Sequence, residues 1–329
     1  MPRSTLAPRA ELHTHLGAAV DPPILWSIAH RQGIKLPSKN YWDFEDMITL
    51  SETERNLNLD EMHRKFYHWT ELIQSSPEAV EESVKSVIGG GYRKNNLVLQ
   101  ELRFNPMFRN RGGERDLDHT IMAAIWGLDK ALLEYPQVRA GIILMMDRTL
   151  SIKQNQVIAR KAIKYQNQGI IGIDVAGPER KTFSMRDHAP LFLEARKAGL
   201  GITVHTGEIG KLEEIKYVVE NIKPDRIGHG IICAKDVQLM KQIAKQRIVL
   251  EICPTSNLKN SVVKNIGELR TIIRALLKHK IKFTINTDGP EMYRTNIYKE
   301  QEFLLKNKIV NQKQIAQCTR WAFESSFIK

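Results

Sequence analysis

Eight short, nearly all-apolar segments recur along these 329 residues, and stretches with helical patterning fill the gaps between them. The segments are Ala10–His13, Leu97–Phe104, Arg139–Met146, Ile170–Val175, Gly201–His205, Arg226–His229, Ile248–Ile252 and Ile281–Asn286. A strand without polar alternation has both faces buried, which is how strands of a parallel sheet read. The helical stretches are Glu78–Gly89, Asp118–Leu133, Asn155–Gln168, Ala189–Ala198, Lys211–Asn221, Asp236–Lys245 and Ile266–His279. Eight such units in a chain of this length predict an α/β fold, a single (β/α)8 TIM barrel domain over residues 1–329. A doubly wound sheet is the weaker reading, because no G-x-G-x-x-G opens a helix after the first strand. The segment from Pro22 to Gly89 reads as a helical insertion after the first strand. Its Trp26, Trp42, Phe44, Phe66, Tyr67 and Trp69 offer aromatic surface to cover one end of a barrel.

Composition narrows the function classes. Hydrophobic residues make up 42% and charged residues 26%, ordinary globular values. No apolar run approaches a membrane span. Residues 1–9 lack an apolar core, so a secretory signal is not expected. Cys233, Cys253 and Cys318 are too few and too scattered for a disulfide framework, which points to a reducing cytoplasm. The net charge of +12 invites an anionic partner or a phosphorylated substrate. The lysines of the C-terminal half are spread rather than massed, as on a solvated surface. No nucleic-acid-binding motif accompanies them, which leaves that class of partner disfavoured.

In a barrel of this kind the C-terminal ends of the strands meet on one face, where catalysis is found. The first strand ends in His13-Thr14-His15, whose imidazoles share one side because side chains of a strand repeat every second residue. The fifth ends in His205 and leads into Glu208, the sixth ends in His229, and the eighth leads into Asp288. The fourth runs into the tight turn Val175-Ala176-Gly177-Pro178. His13, His15, His205 and Asp288 make three imidazoles and a carboxylate, a donor set suited to zinc. Each residue has a plainer reading. His205 suits a buried, hydrogen-bonded histidine, His229 a turn between two glycines, and Asp288 a helix cap before Pro290. Several strand ends presenting metal-compatible groups together weigh against all three.

With these residues in place, the chain resembles the adenosine deaminase family of amidohydrolase barrels. The matching stretches are E-L-H-T-H-L at 11–16, D-V-A-G-P-E at 174–179, V-H-T-G-E at 204–208, R-I-G-H-G at 226–230, C-P-T-S-N at 253–257 and N-T-D at 286–288. The resemblance implies one zinc ion per chain held by His13, His15, His205 and Asp288, lowering the pKa of a water toward neutrality. It implies that Glu208 protonates purine N1. His229 and Asp288 would orient the attacking oxygen, and Gly177 would face N3 with its peptide N–H. Two-metal relatives use a lysine on the fourth strand, which is missing here, and no P-C-x-x-C suggests the cytidine-type alternative.

Two departures bear on substrate. The family pattern H-x-H-L-D-G places an aspartate near the ribose 5′-hydroxyl, where this chain has Gly17 followed by Ala18. This predicts open space at the 5′ end, and tolerance of 5′-substituted adenosines. The second aspartate of N-T-D-D-P, which meets purine N7, is Gly289 here, with Glu291 as a nearby substitute. His15, Gly17, Gly177 and Gly289 are therefore the expected substrate-side positions. The expected activity is conversion of adenosine to inosine and ammonia. The alternatives are deamination of adenine or a modified adenine nucleotide or nucleoside (AMP, methylthioadenosine, aminodeoxyfutalosine), or an impaired nucleoside-binding protein. Arg103 and Arg148 read as structural hydrogen-bonding residues, and Cys233 and Cys253 as small buried ones. The sequence leaves oligomeric state open.

Overall fold

The computed structural model describes residues 7–51, 59–110 and 116–329. Eight parallel strands run in sequence order around one sheet. They are β1 (Arg9–His15), β2 (Leu97–Phe104), β3 (Arg139–Asp147), β4 (Ile170–Ala176), β5 (Gly201–Thr206), β6 (Arg226–His229), β7 (Val249–Ile252) and β8 (Phe283–Ile285). The last gap closes just past β8. His15 N donates to Asp288 O at 2.8 Å, and Asp288 N donates to His13 O at 2.9 Å. The backbone that closes the barrel thus carries three of the four expected ligands.

The strands stay where the apolar runs put them, because each is covered by helices outside and by packed side chains within. Helix boundaries follow capping chemistry more than apolar periodicity. The expected helix at Ala189 begins at Met185, where the Ser184 side chain accepts from Asp187 N. Pro190 lies inside it. The expected start at Asn155 moves back to Ile152 through a capping box of Ser151 and Gln154. Pro77–Asn95, the end of the expected insertion, instead packs as a barrel helix. A Cβ at Gly127 would come 2.4 Å from Glu81 O, so glycine is what lets it approach the helix Leu117–Glu134 so closely.

The insertion proper covers the end of the barrel where the strands finish. Phe44 and Phe66 are fully buried, and Trp26 and Trp69 pack against the main core. Phe66 joins Leu50, Met62, Met292 and Tyr293 in a small cluster over the strand ends. Trp42 departs from expectation: it is 70% exposed, with its ring edge-on to Tyr41. Among the described residues, no helix is long and apolar enough to cross a membrane.

Candidate metal centre and its cavity

His13 and His205 are each oriented by a buried carboxylate. His13 Nδ1 lies 2.7 Å from Glu251 Oε2, and His205 Nδ1 lies 2.8 Å from Asp174 Oδ2. A ring nitrogen against a carboxylate carries the proton, so the Nε2 lone pairs of both rings face inward. Those two Nε2 atoms are 3.1 Å apart, and His15 Nε2 is 3.2 Å from that of His205. Asp288 Oδ1 completes the group at 3.4 Å from His15 Nε2 and 3.8 Å from His13 Nε2. Facing lone pairs repel at such distances unless a cation sits among them. A tetrahedral zinc ion with bonds of about 2.0–2.1 Å spaces its donors about 3.3–3.4 Å apart, close to most of these separations. The donor set and its spacing fit a zinc ion.

The charges agree with that fit. Burial and the neighbouring Arg103 and His205 drive the His13 imidazole well down, and burial with His205 and His13 does the same for His15. Neutral imidazole is the form that binds metal. Burial opposes charge on Asp174 and Glu251, yet the surrounding cations prevail and both carboxyls fall to about 2. Arg103 donates to Asp174 Oδ2 and to Glu251 Oε2, both at 2.8 Å, and to Leu12 O at 2.7 Å. Arg226 Nε donates to Glu251 Oε1 at 2.6 Å, and its guanidinium also binds Glu101. The floor beneath the imidazoles is therefore a buried web of three carboxylates and two guanidinium groups.

Above the imidazoles lies a cavity bordered by His15, Gly177, His205, Glu208, His229 and Asp288. Burial raises the Glu208 carboxyl, so it holds a proton to higher pH than a surface glutamate. Glu208 Oε2 is 3.6 Å from His229 Nε2. Asn257 Nδ2 donates to His229 Nδ1 at 3.0 Å, which leaves the ring proton on Nε2, turned toward Glu208 and Asp288. Burial lowers the His229 pKa to about 4, so this ring is a neutral donor near pH 7. Ser256 Oγ donates to Asp288 Oδ2 at 2.6 Å. His229 and Asp288 have φ of +59° and +65°, a backbone region that side chains other than glycine rarely adopt. Such local cost is typical of functional positions. Gly177 has φ of +92°, and a Cβ there would strike Asp147 Oδ2 at 2.4 Å, so only glycine fits.

His13, His15, His205 and Asp288 thus come together, with Glu208, His229 and Gly177 beside them. The expectations at the two departures need correction. Among the described residues, the space beside Gly17 is taken up rather than opened to the cavity: a Cβ there would lie 2.9 Å from Arg109 Nη2 and 3.2 Å from the Tyr67 ring. Gly289 packs under Ala18, and neither Gly17 nor Gly289 borders the cavity. Glu291 points away, with its carboxylate 3.5 Å from Lys94 Nζ in a separate cavity beside Asp21. Arg148 ties β5 to the following helix, donating to His205 O and Glu214 Oε1, both at 2.7 Å. Cys233 and Cys253 are buried, with both thiols raised by burial. Sequence reasoning did not find Glu251, whose only signal was one carboxylate inside the apolar run Val249-Leu250-Glu251-Ile252. It also missed Glu71 and Asn260 and gave no role to Asn257 of the C-P-T-S-N stretch; these reach the site from the insertion and from around the short helix Pro254–Lys259 after β7, while Tyr67, read only as covering surface, also borders the cavity.

Comparison with known proteins agrees with this geometry. The chain is 28% identical to an adenosine deaminase of Clostridium kluyveri over 98% of its length and 90% of the relative. It is 28% identical to one of Vibrio vulnificus over 89% of its length and 86% of the relative. Among solved structures, an adenine deaminase of Arthrobacter aurescens superposes with a TM-score of 0.85 at 19% identity, covering 98% of this chain and 94% of that one. An Arabidopsis N6-mAMP deaminase gives 0.82 at 22% identity, over 99% and 95%. A Burkholderia ambifaria amidohydrolase with bound zinc gives 0.82 at 18%, over 98% and 86%. These likenesses share the barrel fold. The family model described as adenosine deaminase matches residues 8–329, and the chain belongs to the adenosine deaminase family, whose members are hydrolases of amidine C–N bonds.

Proposed function

We propose that this protein is a zinc-dependent aminohydrolase that converts a 6-aminopurine nucleoside, adenosine in the simplest case, to its 6-oxo product and ammonia. One observation carries the reading: a zinc-compatible set of four donors lies beside a buried, protonatable glutamate and a neutral histidine, in one cavity. His13, His15, His205 and Asp288 would hold the ion, one per chain. Bound there, zinc supplies the Lewis acidity that makes water acidic near neutral pH.

The chain's own residues account for the rest. Glu208 holds a proton because it is buried, and delivers it to N1 of the purine, which leaves C6 electron-poor. The oxygen of water adds to C6, the C6–N6 bond breaks, and N6 leaves as ammonia with one of that water's protons, while the other returns to Glu208. His229 Nε2–H points into the cavity and stabilises negative charge as it develops on the attacking oxygen. Asp288, held by Ser256, accepts a hydrogen bond from that oxygen. Gly177, with no side chain in the way, offers its peptide N–H to the far edge of the ring. The three buried free cysteines fit a reducing cytoplasm, and the eight strands in one sheet support a single barrel domain. Ammonia release from adenosine by the zinc-loaded protein tests the reading, and none from adenosine or adenine at any zinc loading would overturn it.

A further inference from the structure

Carboxyl groups outnumber basic ones around the cavity, although the chain as a whole is basic. Among the described residues, five carboxyl groups border it, from Glu71, Asp147, Glu179, Glu208 and Asp288. One guanidinium does so, that of Arg148, and it is already bonded to Glu214 and to the His205 carbonyl. The net charge of +12 is therefore carried elsewhere, and it lends no support to a phosphorylated substrate.

Glu71 holds a particular place among these groups. It lies on the insertion helix His68–Ile73, where the cavity meets an outer groove lined by Asp60, Arg64, Phe108 and Arg180. Any substituent reaching from the reacting ring toward that groove passes it. Arg109 stands behind it, with Nη1 3.7 Å from Glu71 Oε1. The same guanidinium fills the space beside Gly17, so the carboxylate at this end comes from the insertion rather than from β1. Within the groove, Arg180 is paired with Asp60.

We propose that Glu71 is a specificity residue. It selects a substrate whose end remote from the reacting amino group carries hydroxyls and no charge, and it turns away the 5′-phosphate of a nucleotide. A carboxylate accepts a charge-assisted hydrogen bond from a sugar hydroxyl. The same carboxylate repels a phosphate strongly in a cavity shielded from water. The choice of ligands rests on the deaminase reading, but the selection itself is a matter of binding.

The test has two arms on the zinc-loaded protein. Calorimetry compares binding of inosine with that of IMP, and ammonia release compares adenosine with AMP. The expected result is a preference of at least about a hundredfold for the unphosphorylated member in both arms, since tenfold is only 1.4 kcal/mol. Glu71→Gln, which keeps the shape and removes the charge, narrows the preference at least about tenfold by improving IMP and AMP. Glu71→Asp retains it. Equal or better handling of IMP and AMP by the wild type overturns the proposal, as does binding of neither compound or an unchanged ratio in Glu71→Gln. Removing the carboxylate leaves Arg109 buried without it, so if Glu71→Gln folds poorly, the double variant Glu71→Gln with Arg109→Gln, which removes the pair together, takes its place and must narrow the preference in the same way. Selective binding of inosine without ammonia release from adenosine sinks the deaminase reading and leaves this selection standing.

Discussion

Ala18 and Gly289 explain one another. A Cβ at 289 would sit 2.6 Å from the Ala18 methyl and 3.1 Å from Met292 Cε, so an aspartate at 289 does not fit beside an alanine at 18. Gly289→Asp alone is expected to lower the melting temperature, and Ala18→Gly to restore part of the loss. The double-mutant cycle should give a coupling of about 0.5–3 kcal/mol, and strict additivity would disprove the link. Glu208→Gln should keep its zinc while losing about 10²–10⁴ in kcat, and His205→Ala should lose the metal. Metal analysis beside kinetics separates the two. Burial raises Glu208, and the protonated form is the one that serves N1. Activity should therefore be full below the folded pKa of Glu208 and fall as pH rises through it. A kcat that climbs steadily over that range would contradict the assignment. The histidines and Asp288 were legible because each lies at or just past a strand end, and topology alone gathers such ends on one face. Glu71 was not legible, because only tertiary folding brings the insertion over β1.

Among elements, β7 contributes most to the centre without facing it. Glu251 binds His13 on one oxygen, and both Arg226 and Thr203 on the other. Glu251→Gln should weaken zinc binding about 10–100-fold, measured by chelator competition, with a folded barrel retained. Unchanged affinity would remove Glu251 from this role. The C-terminal segment reaches the same web from below. Phe327 lies on Gly172 and Gly201, its ring 3.6 Å from the Arg226 guanidinium carbon. Its peptide N–H and Ser326 Oγ both donate to Glu101 Oε1 at 2.7 Å. Phe327 is only partly buried, so Phe327→Ala should cost about 1–3 kcal/mol of stability, read by denaturant unfolding. A loss below about 1 kcal/mol would mean the segment merely rests on the barrel. The eight strands were legible because unbroken apolar runs have few other uses in a chain this long. Helix starts were less so, since Ser151 and Ser184 decide them through caps that apolar periodicity does not register.

At the scale of the molecule, surface charge and site charge part company. A basic chain encloses a cavity lined mainly by carboxyl groups over a zinc-compatible centre, so net charge says little about what binds within. The barrel closes through backbone bonds between His13-Thr14-His15 and Asp288, and a metal held there joins the first strand to the segment after the last. Removal of the metal should therefore loosen the whole barrel, because an ion that binds only the folded form stabilises it in proportion to the logarithm of its concentration over Kd. The most direct test of the central claim is ammonia release from adenosine after chelation and stepwise return of zinc. The account predicts that activity vanishes on chelation and returns in proportion to added zinc, reaching its plateau at about one ion per chain. Full activity in the metal-free protein, or none at that loading, would contradict it.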